Sequence, residues 1–221
     1  ARELFELYGS KGSSPCDIAI DLHSTTAAMG NCIVVYGQRP ADLAFSSLLQ
    51  ARLGLPIYLY EGDDSQQGFL VESWPCGLVI EIGPVPQGVL DAGIVEKSRI
   101  ALCASLEVLS MVRNRTAKYP DQLVVHRHIG SLDCPRDIQG KPGACIHPDR
   151  QGSDWESIEK GSPLFLYPNG AIETFNGLDN PIPVFINEAA YAEKQISMSF
   201  TKREVWALDQ AWKEELKKFF V

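Results

Sequence analysis

Short apolar runs of strand type alternate with helical stretches through residues 1–117, and this alternation limits the possible folds more than any other feature. Strands are predicted at 17–22, 32–36, 56–60 and 77–82. Helices are predicted near 41–53 and from Asp91, which can cap the helix, to about Arg115. The apolar stripe expected on the second helix consists of Val95, Leu102, Leu106 and Leu109. Such interleaving favours an α/β fold with largely buried strands.

The pattern changes near residue 118, where short strands begin to alternate with Gly, Pro and Asn turns. Two apolar runs, 164–167 and 171–175, flank Pro168-Asn169-Gly170 and predict a β-hairpin. Another strand is expected at 183–186, and a helix from Lys202 to the end. The packing face expected on that helix consists of Val205, Leu208, Trp212, Leu216 and Phe219. We therefore predict two domains, an α/β unit at 1–117 and a β-rich unit at 118–221.

Charge and apolar content exclude several classes of partner. The chain of 221 residues has 20 Lys and Arg against 28 Asp and Glu, a net charge of −8. It contains no basic tract, so we expect no nucleic-acid partner. Its apolar runs are far shorter than the roughly 20 residues that span a bilayer, and it opens on a charged, helix-like stretch instead of a signal peptide, so we expect no membrane partner. Because this opening lacks a methionine and resembles the middle of a helix, we also expect a fragment or a processed chain.

Six cysteines occur at irregular spacing, without a C-x-x-C pair. They are Cys16, Cys32, Cys76, Cys103, Cys134 and Cys145. This pattern is typical neither of a disulfide framework nor of a structural zinc knuckle. We expect reduced, mostly buried thiols in a cytoplasmic protein.

His23 is the first candidate for chemistry. Because successive side chains of a strand point to opposite faces, Ala19, Asp21 and His23 share one face of the first strand. A ligand can bind just beyond the carboxyl end of such a strand. A neutral imidazole there suits zinc, with nearby carboxylates to orient it. The alternative is a histidine that caps the strand through a backbone hydrogen bond.

Glu81 is the second candidate, because it places a carboxylate at the end of an apolar strand. The following stretch, 83–88, is rich in Gly and Pro and takes the chain out of the sheet. A carboxylate in such a poorly solvated position suits a proton shuttle. The alternative is a structural carboxylate that is paired with an arginine or with backbone amides.

The other histidines point less clearly to a site. His126 and His128 are two residues apart and share a face of a predicted strand, so they could bind a metal as a pair. Arg127 separates them and no third ligand is near in sequence, so surface strand positions are favoured. His147 precedes a proline in a turn and is expected to be structural. The chain has no G-x-S-x-G, P-loop or G-x-G-x-x-G motif.

Several longer motifs, in matching order along nearly the whole chain, resemble the aspartoacylase family, zinc amidohydrolases related to carboxypeptidase-type metallohydrolases. The motifs are 21–30 (DLHSTTAAMG), 80–90 (IEIGPVPQGVL), 135–137 (PRD), 146–148 (IHP), 154–155 (DW) and 183–194 (PVFINEAAYAEK). The resemblance implies part of a three-layer, zinc-carboxypeptidase-like α/β sheet, with a β-rich C-terminal domain that covers the pocket. The C-terminal helix shows no clear match.

The resemblance also implies roles for three residues. His23 matches a zinc ligand, Glu81 matches the general base, and Tyr191 matches a substrate-binding tyrosine that enters the pocket from the second domain. One zinc ion per site is expected. The implied reaction cleaves an N-acyl amino acid, such as N-acetyl-aspartate, to a carboxylate and a free amino acid. The alternatives are a zinc hydrolase of succinylated amino acids or peptides, and a metal-free binding fragment. A homodimer is a further implication.

The chain departs from the family pattern at three points. The G-G-x-H-G-N-E motif with the other zinc ligands is absent, and so is the D-L-N-R motif that binds substrate. Phe69 lies near where relatives often have a tyrosine, and no arginine occurs between Leu53 and Glu81. Because the side chain of N-acetyl-aspartate needs a cation for its carboxylate, this departure favours a more apolar N-acyl amino acid as substrate.

Overall fold

The computed structural model describes residues 2–9, 11–62, 69–177 and 179–220. The helices are α1 (Arg2–Tyr8), α2 (Pro40–Leu53), α3 (Ala92–Arg113) and α4 (Gln210–Lys217), with 3-10 turns at Leu70–Ser73, Ala189–Tyr191 and Lys218–Phe220. The strands are β1 (Ile18–Ser24), β2 (Cys32–Tyr36), β3 (Ile57–Tyr60), β4 (Cys76–Ile82), β5 (Gln122–Asp133), β6 (Cys145–Ile146), β7 (Pro163–Leu166), β8 (Ile172–Thr174), β9 (Ile182–Val184) and β10 (Ile196–Ala207).

Seven of these strands form one mixed sheet in the order β1-β4-β2-β3-β5-β10-β9. The pairs β1–β4, β2–β3 and β3–β5 are parallel, and the other three pairs are antiparallel. The remaining strands form a small sheet in the order β6-β7-β8. The predicted α/β class with a β-rich C-terminal part is thus confirmed. The predicted boundary at 117/118 stays a prediction, since the large sheet continues across it from β3 to β5.

The two faces of the large sheet are packed differently. On β4, Leu78 and Ile80 point into the main core, which α2, α3 and α4 cover. Val79 points to the other face, where a smaller cluster also contains Val34 and Tyr58. By strand alternation Glu81 shares that second face. The helical face is therefore aliphatic, and the opposite face has the polar and aromatic side chains.

Helix α3 begins where predicted, with Asp91 as its N-cap, because the Asp91 carboxylate accepts a hydrogen bond from the Ile94 amide. The predicted apolar stripe is wrong for three of its four residues: Val95, Leu102 and Leu106 are exposed. Leu109 does pack against the main core. The buried face consists of Ala101, Ala104, Ser105, Val108 and Val112. The face predicted from the spacing of the large apolar residues is therefore not the face that the helix buries.

The prediction of a helix from Lys202 is wrong about where the helix begins. Residues up to Ala207 belong to β10, which pairs with β5 along almost its whole length. These long-range hydrogen bonds outweigh the local helical periodicity. The helix proper begins at Gln210 with Asp209 as its N-cap. Of the predicted face, Leu216 is buried and Leu208, Trp212 and Phe219 pack against the main core, although Leu208 precedes the helix. Val205 does not belong to this face, because it lies exposed on β10.

Three smaller predictions have definite outcomes. The hairpin at Pro168-Asn169-Gly170 is confirmed, with Gly170 at φ 84° in the turn between β7 and β8. The cysteines are not mostly buried, since only two of the six are. Cys32 and Cys76 are buried, Cys134 is intermediate, and Cys16, Cys103 and Cys145 are exposed. Within the described part of the chain, no helix has the length and apolarity needed to cross a membrane.

Candidate active site

Parallel pairing of β1 and β4 brings the two principal sequence candidates together. The register sets His23 opposite Glu81, at the carboxyl ends of both strands. The imidazole Nδ1 of His23 lies 3.7 Å from Oε1 of Glu81, and its Nε2 lies 3.1 Å from Oδ2 of Asp21. Both ring nitrogens thus face a carboxylate oxygen.

The surroundings of this pair are strongly negative. The adjacent carboxylates of Glu81 and Asp21 raise the pKa of His23 above its ordinary value, although partial burial opposes this rise. The His23 side chain is 53% exposed, whereas that of Glu81 is only 12% exposed. A water-accessible imidazole therefore lies beside a largely desolvated carboxylate.

One oxygen of Glu81 is buried without a partner. Its Oε2 makes no hydrogen bond with any described residue. A buried polar atom normally has a partner, and the loss of one costs about 1–3 kcal/mol. This oxygen is therefore available to a bound water molecule or substrate, as a proton shuttle requires.

The loops that follow β1 and β4 are held against each other. The amide of Val85 donates to the carbonyl of Thr25, and that of Thr25 donates to the carbonyl of Ile82. Gly83 is required at this contact, because a Cβ there would lie 2.6 Å from the Thr25 carbonyl oxygen. The close approach keeps the ends of both strands, and hence His23 and Glu81, in fixed relation.

Tyr191 reaches the same place from the C-terminal part of the chain, on a segment that we call the strap (residues 185–191). Glu188 anchors the strap: its Oε2 accepts hydrogen bonds from the Thr25 hydroxyl and from the amides of Thr26 and Ala27. Burial acts to raise the pKa of Glu188, but these bonds together lower it. The strap is thereby attached to the loop directly after His23.

Tyr191 and Glu81 line one cavity, so the structure brings the three sequence candidates to one region. Burial and the negative charge of Glu81 keep the pKa of Tyr191 well above its ordinary value, so the phenol remains a hydrogen-bond donor. The rest of the lining is largely aromatic. It consists of Val34, Tyr36, Tyr58, Tyr60, Phe69, Ser131, Phe185, Lys194, Ile196 and Ser199.

The other histidines differ in part from expectation. His126 and His128 are on β5 but are half-buried rather than on the surface: His126 packs edge-on against Trp155, and the Nδ1 of His128 lies 3.0 Å from the hydroxyl of Tyr58. Burial lowers both pKa values. His147 is structural as predicted, because its Nδ1 accepts the amide hydrogen of Asp149 in a turn.

The described residues do not form a complete metal site. Among them, no three His, Cys, Asp or Glu side chains are arranged to hold an ion. His23 is the single histidine beside Glu81, and a catalytic zinc needs three protein ligands. His23 fits one position of such a site, and the described residues do not supply the rest.

Sequence reasoning missed two parts of the site. Glu188 lies within the motif at 183–194, but its partners at 25–27 are distant in sequence and could not be inferred from spacing. The aromatic cavity wall is assembled from strands β2 and β3, from Phe69 before the 3-10 turn at Leu70–Ser73, and from the strap. The alternating Tyr58 and Tyr60 of β3 were the one local signal for it.

Comparisons with known proteins identify the family. Residues 1–109 match the succinylglutamate desuccinylase/aspartoacylase catalytic domain, and residues 121–203 match the AstE/AspA barrel-sandwich hybrid domain. A probable aspartoacylase of Prochlorococcus marinus (strain MIT 9313) is 60% identical over 99% of this chain and 72% of its own length. The chain belongs to the aspartoacylase family. A second probable aspartoacylase, of Synechococcus sp. (strain CC9605), is 56% identical over the same shares of both chains.

Two solved structures agree with the fold. Murine aminoacylase 3 superposes with a TM-score of 0.83 at 30% identity, over 94% of this chain and 70% of the murine one. Succinylglutamate desuccinylase from Vibrio cholerae, at 13% identity and a TM-score of 0.53 over 93% of this chain and 56% of its own, shares the fold. Family membership makes this aspartoacylase-family protein a hydrolase of amide bonds.

Proposed function

We propose that this aspartoacylase-family protein removes the acyl group from N-acyl amino acids, with Glu81 as the general base, His23 as a zinc ligand and Tyr191 as a substrate-binding residue. The observation that carries the proposal is the meeting of these side chains: His23 and Glu81 are adjacent across β1 and β4, and Tyr191 lines the cavity that contains Glu81. Relatives named aspartoacylase and aminoacylase support the substrate class.

In this proposal Glu81 moves one proton twice. Its carboxylate takes a proton from a water molecule as the water oxygen attacks the acyl carbon. It then gives that proton to the nitrogen as the C–N bond breaks, so a carboxylate and a free amine leave. The buried, unpartnered Oε2 of Glu81 is free to receive the proton. The hydroxyl of Tyr191 would donate a hydrogen bond to the bound substrate.

Zinc belongs to the proposal as a family expectation. When bound, it would polarise the acyl carbonyl and acidify water. His23 would be one ligand, and the other ligands would come from outside the described residues. Asp21, 3.1 Å from Nε2 of His23, would orient the imidazole.

A panel of N-acetyl and N-succinyl amino acids tests the reaction. With the protein in its natural full length, we expect amine release from at least one N-acetyl amino acid. The expected loss in Glu81→Ala is at least about 10²-fold, the size of a general-base contribution. Release from succinylated substrates alone would favour the desuccinylase alternative. No release from any substrate would overturn the proposal.

Metal analysis tests the ligand assignment separately. We expect about one zinc per chain in the dialysed full-length protein, the stoichiometry of a mononuclear hydrolase. His23→Ala should lose this zinc, whereas the control His147→Ala, in the turn at Asp149, should keep it. Retention of zinc in His23→Ala would remove His23 from the site. Binding of N-acyl amino acids by a zinc-free protein that does not hydrolyse them would favour the binding-fragment alternative.

A further inference from the structure

Positively charged side chains surround a second cavity, between the C-terminal end of α3 and helix α4. Arg113 and Arg115 line it from the α3 side, and Lys213 and Lys217 line it from α4. Among the described lining residues, Glu214 is the one anion. The chain as a whole has a net charge of −8, so this cluster runs against its overall charge. The cavity has a volume of ≈ 600 Å³, which is within the range of small-molecule sites.

Three of the four cations have no anionic partner. Nζ of Lys217 lies 2.8 Å from Oε1 of Glu214. Arg113, Arg115 and Lys213 form no ion pair with any residue that the structure describes. Like charges that are gathered without counter-ions repel each other and destabilise the fold. An anionic ligand in the cavity would remove this repulsion.

The electrostatics of helix ends account for only part of the cluster. A cation in the last turn of a helix is stabilised by the partial negative charge of the C-terminus, which explains Arg113 on α3 and Lys217 on α4. Arg115 lies beyond the end of α3 with φ 59°, a left-handed conformation that favours glycine. At its own end, helix α2 has Gly54 in this conformation, at φ 69°. Helix α3 is thus followed by an arginine where local stability favours glycine.

The cavity wall also contains a hydroxyl group without a partner. The hydroxyl of Tyr119 is buried and makes no hydrogen bond with any described residue. Burial and the charge of Glu214 raise the pKa of Tyr119 to about 12, so the phenol keeps its proton and remains a donor. Nζ of Lys213 lies 5.6 Å from the centroid of the Tyr119 ring, a cation–π contact that holds the ammonium group at the same wall. Because buried donors normally have an acceptor, this hydroxyl points to a partner from outside the described residues.

We infer that this cavity binds a phosphate-bearing small molecule. A phosphate group has about two negative charges and three acceptor oxygens, whereas a carboxylate has one charge and two oxygens. Phosphate therefore matches three unpaired cations better, and guanidinium groups such as those of Arg113 and Arg115 bind its oxygens in pairs. The volume leaves room for an organic group beside Tyr119 and Phe220. This cavity shares no lining residue with the cavity of Glu81, so the inference is independent of the proposed function.

Calorimetry on the full-length protein tests the inference with ADP, inorganic pyrophosphate, adenosine and citrate as probes. We expect saturable binding of ADP or pyrophosphate that weakens with added NaCl, because the contacts are ionic. Tighter binding of ADP would identify a phosphate ester as the source of the phosphate, and equal or tighter binding of pyrophosphate would identify free polyphosphate. Absence of binding by both phosphate probes would overturn the inference. Citrate or adenosine bound as tightly as either of them would overturn it as well.

Arg115→Gly separates ligand binding from folding. Loss of a charged hydrogen-bond donor should weaken binding of the tighter phosphate probe by about 10-fold. The Tm should stay unchanged or rise, because glycine suits φ 59°. Lys213→Ala should also weaken binding by about 10-fold, and Lys213→Arg should largely preserve it. Arg99→Ala is the matched control, since Arg99 lies on α3 outside the cavity and pairs with Glu96. Binding that Arg115→Gly and Lys213→Ala both leave unchanged would overturn the inference, whether or not the protein hydrolyses N-acyl amino acids.

Discussion

The two faces of the large sheet differ in what they contribute, and strand β4 shows the contrast between adjacent residues. Ile80 is fully buried in the main core beneath the helices. Glu81, the next residue, leaves that core and lies beside His23 with a buried oxygen that has no partner. The helical face buries aliphatic side chains and stabilises the fold. The opposite face keeps an unsatisfied carboxylate, which costs stability but is available for chemistry.

This difference shows how a strand can serve both purposes at once. Because successive side chains point to opposite faces, the apolar run of β4 fixes the strand in the core and also determines where Glu81 points. The strap anchored by Glu188 then covers the chemical face and leaves a cavity. Substitutions on the two faces should therefore have separable effects on stability and turnover.

The largest expected effect on stability comes from Ile80→Ala. Removal of a buried isoleucine side chain leaves a cavity and should lower the free energy of unfolding by about 2–5 kcal/mol. The kcat of the folded fraction should stay close to that of the wild type. Ile172→Ala is the control, because Ile172 is half exposed on β8 and its loss should cost less than about 0.5 kcal/mol. Urea denaturation measures both variants. Equal effects at the two positions would contradict the predicted role of the helical face.

Asp154, on the side of the sheet that the strap covers, should make the free energy of unfolding depend on pH. Its Oδ1 accepts the amide hydrogen of Ile186 in the strap, and burial raises the pKa of Asp154 to about 6. The folded state binds the proton of the Asp154 carboxyl group more tightly than the unfolded chain does. Protonated Asp154 therefore contributes its full stabilisation at pH values below the pKa that Asp154 has in the unfolded chain. This stabilisation is lost as pH rises through about 6.

We expect this contribution to fall by about 2–3 kcal/mol between about pH 4 and pH 8. Asp154→Asn, which keeps an oxygen acceptor but cannot ionise, should remove this part of the pH dependence. Denaturation of both proteins at the two pH values measures it. If the free energy of unfolding of Asp154→Asn differs between the two pH values as much as that of the wild type does, then Asp154 titrates in the folded protein as it does in the unfolded chain.

Tyr191→Phe should have the smallest effect. Loss of one hydrogen bond to substrate costs about 0.5–1.5 kcal/mol, so KM should rise by about 2- to 12-fold while kcat changes little. Tyr167→Phe is the control, since the Tyr167 hydroxyl bonds Glu173 in the hairpin at the surface. Steady-state kinetics in full-length protein decide the question. A fall in kcat with unchanged KM would assign Tyr191 to the chemical step rather than to substrate binding.

Local patterns predicted most elements but not the contacts between them. The apolar run of β4 and the N-cap at Asp91 were sufficient to predict strand β4 and the start of helix α3, because each signal depends on residues that are close in sequence. The meeting of His23 with Glu81 depends on the parallel register of β1 and β4, which no local pattern specifies. For this pair the resemblance to the family supplied what spacing could not.

Two predictions, the start of the C-terminal helix and the buried face of α3, were wrong for one physical reason. In both, long-range packing outweighed the local periodicity of the sequence. Residues 202–207 join β10 because β5 offers them a ladder of backbone hydrogen bonds. Helix α3 buries a face that includes Ala101 and Ala104 and leaves Val95, Leu102 and Leu106 of the predicted stripe exposed. The attachment of Glu188 to the loop after His23 could not be predicted for the same reason, as its partners are distant in sequence.

The most direct test compares Glu81→Gln with the wild type in the full-length protein, with turnover and stability measured on the same preparations. Glutamine keeps the shape of the side chain but cannot take a proton. We expect kcat for the best N-acyl amino acid to fall by at least about 10²-fold, with the free energy of unfolding unchanged or slightly raised. Near-normal turnover in Glu81→Gln would contradict the assignment of this face of the sheet as the catalytic one.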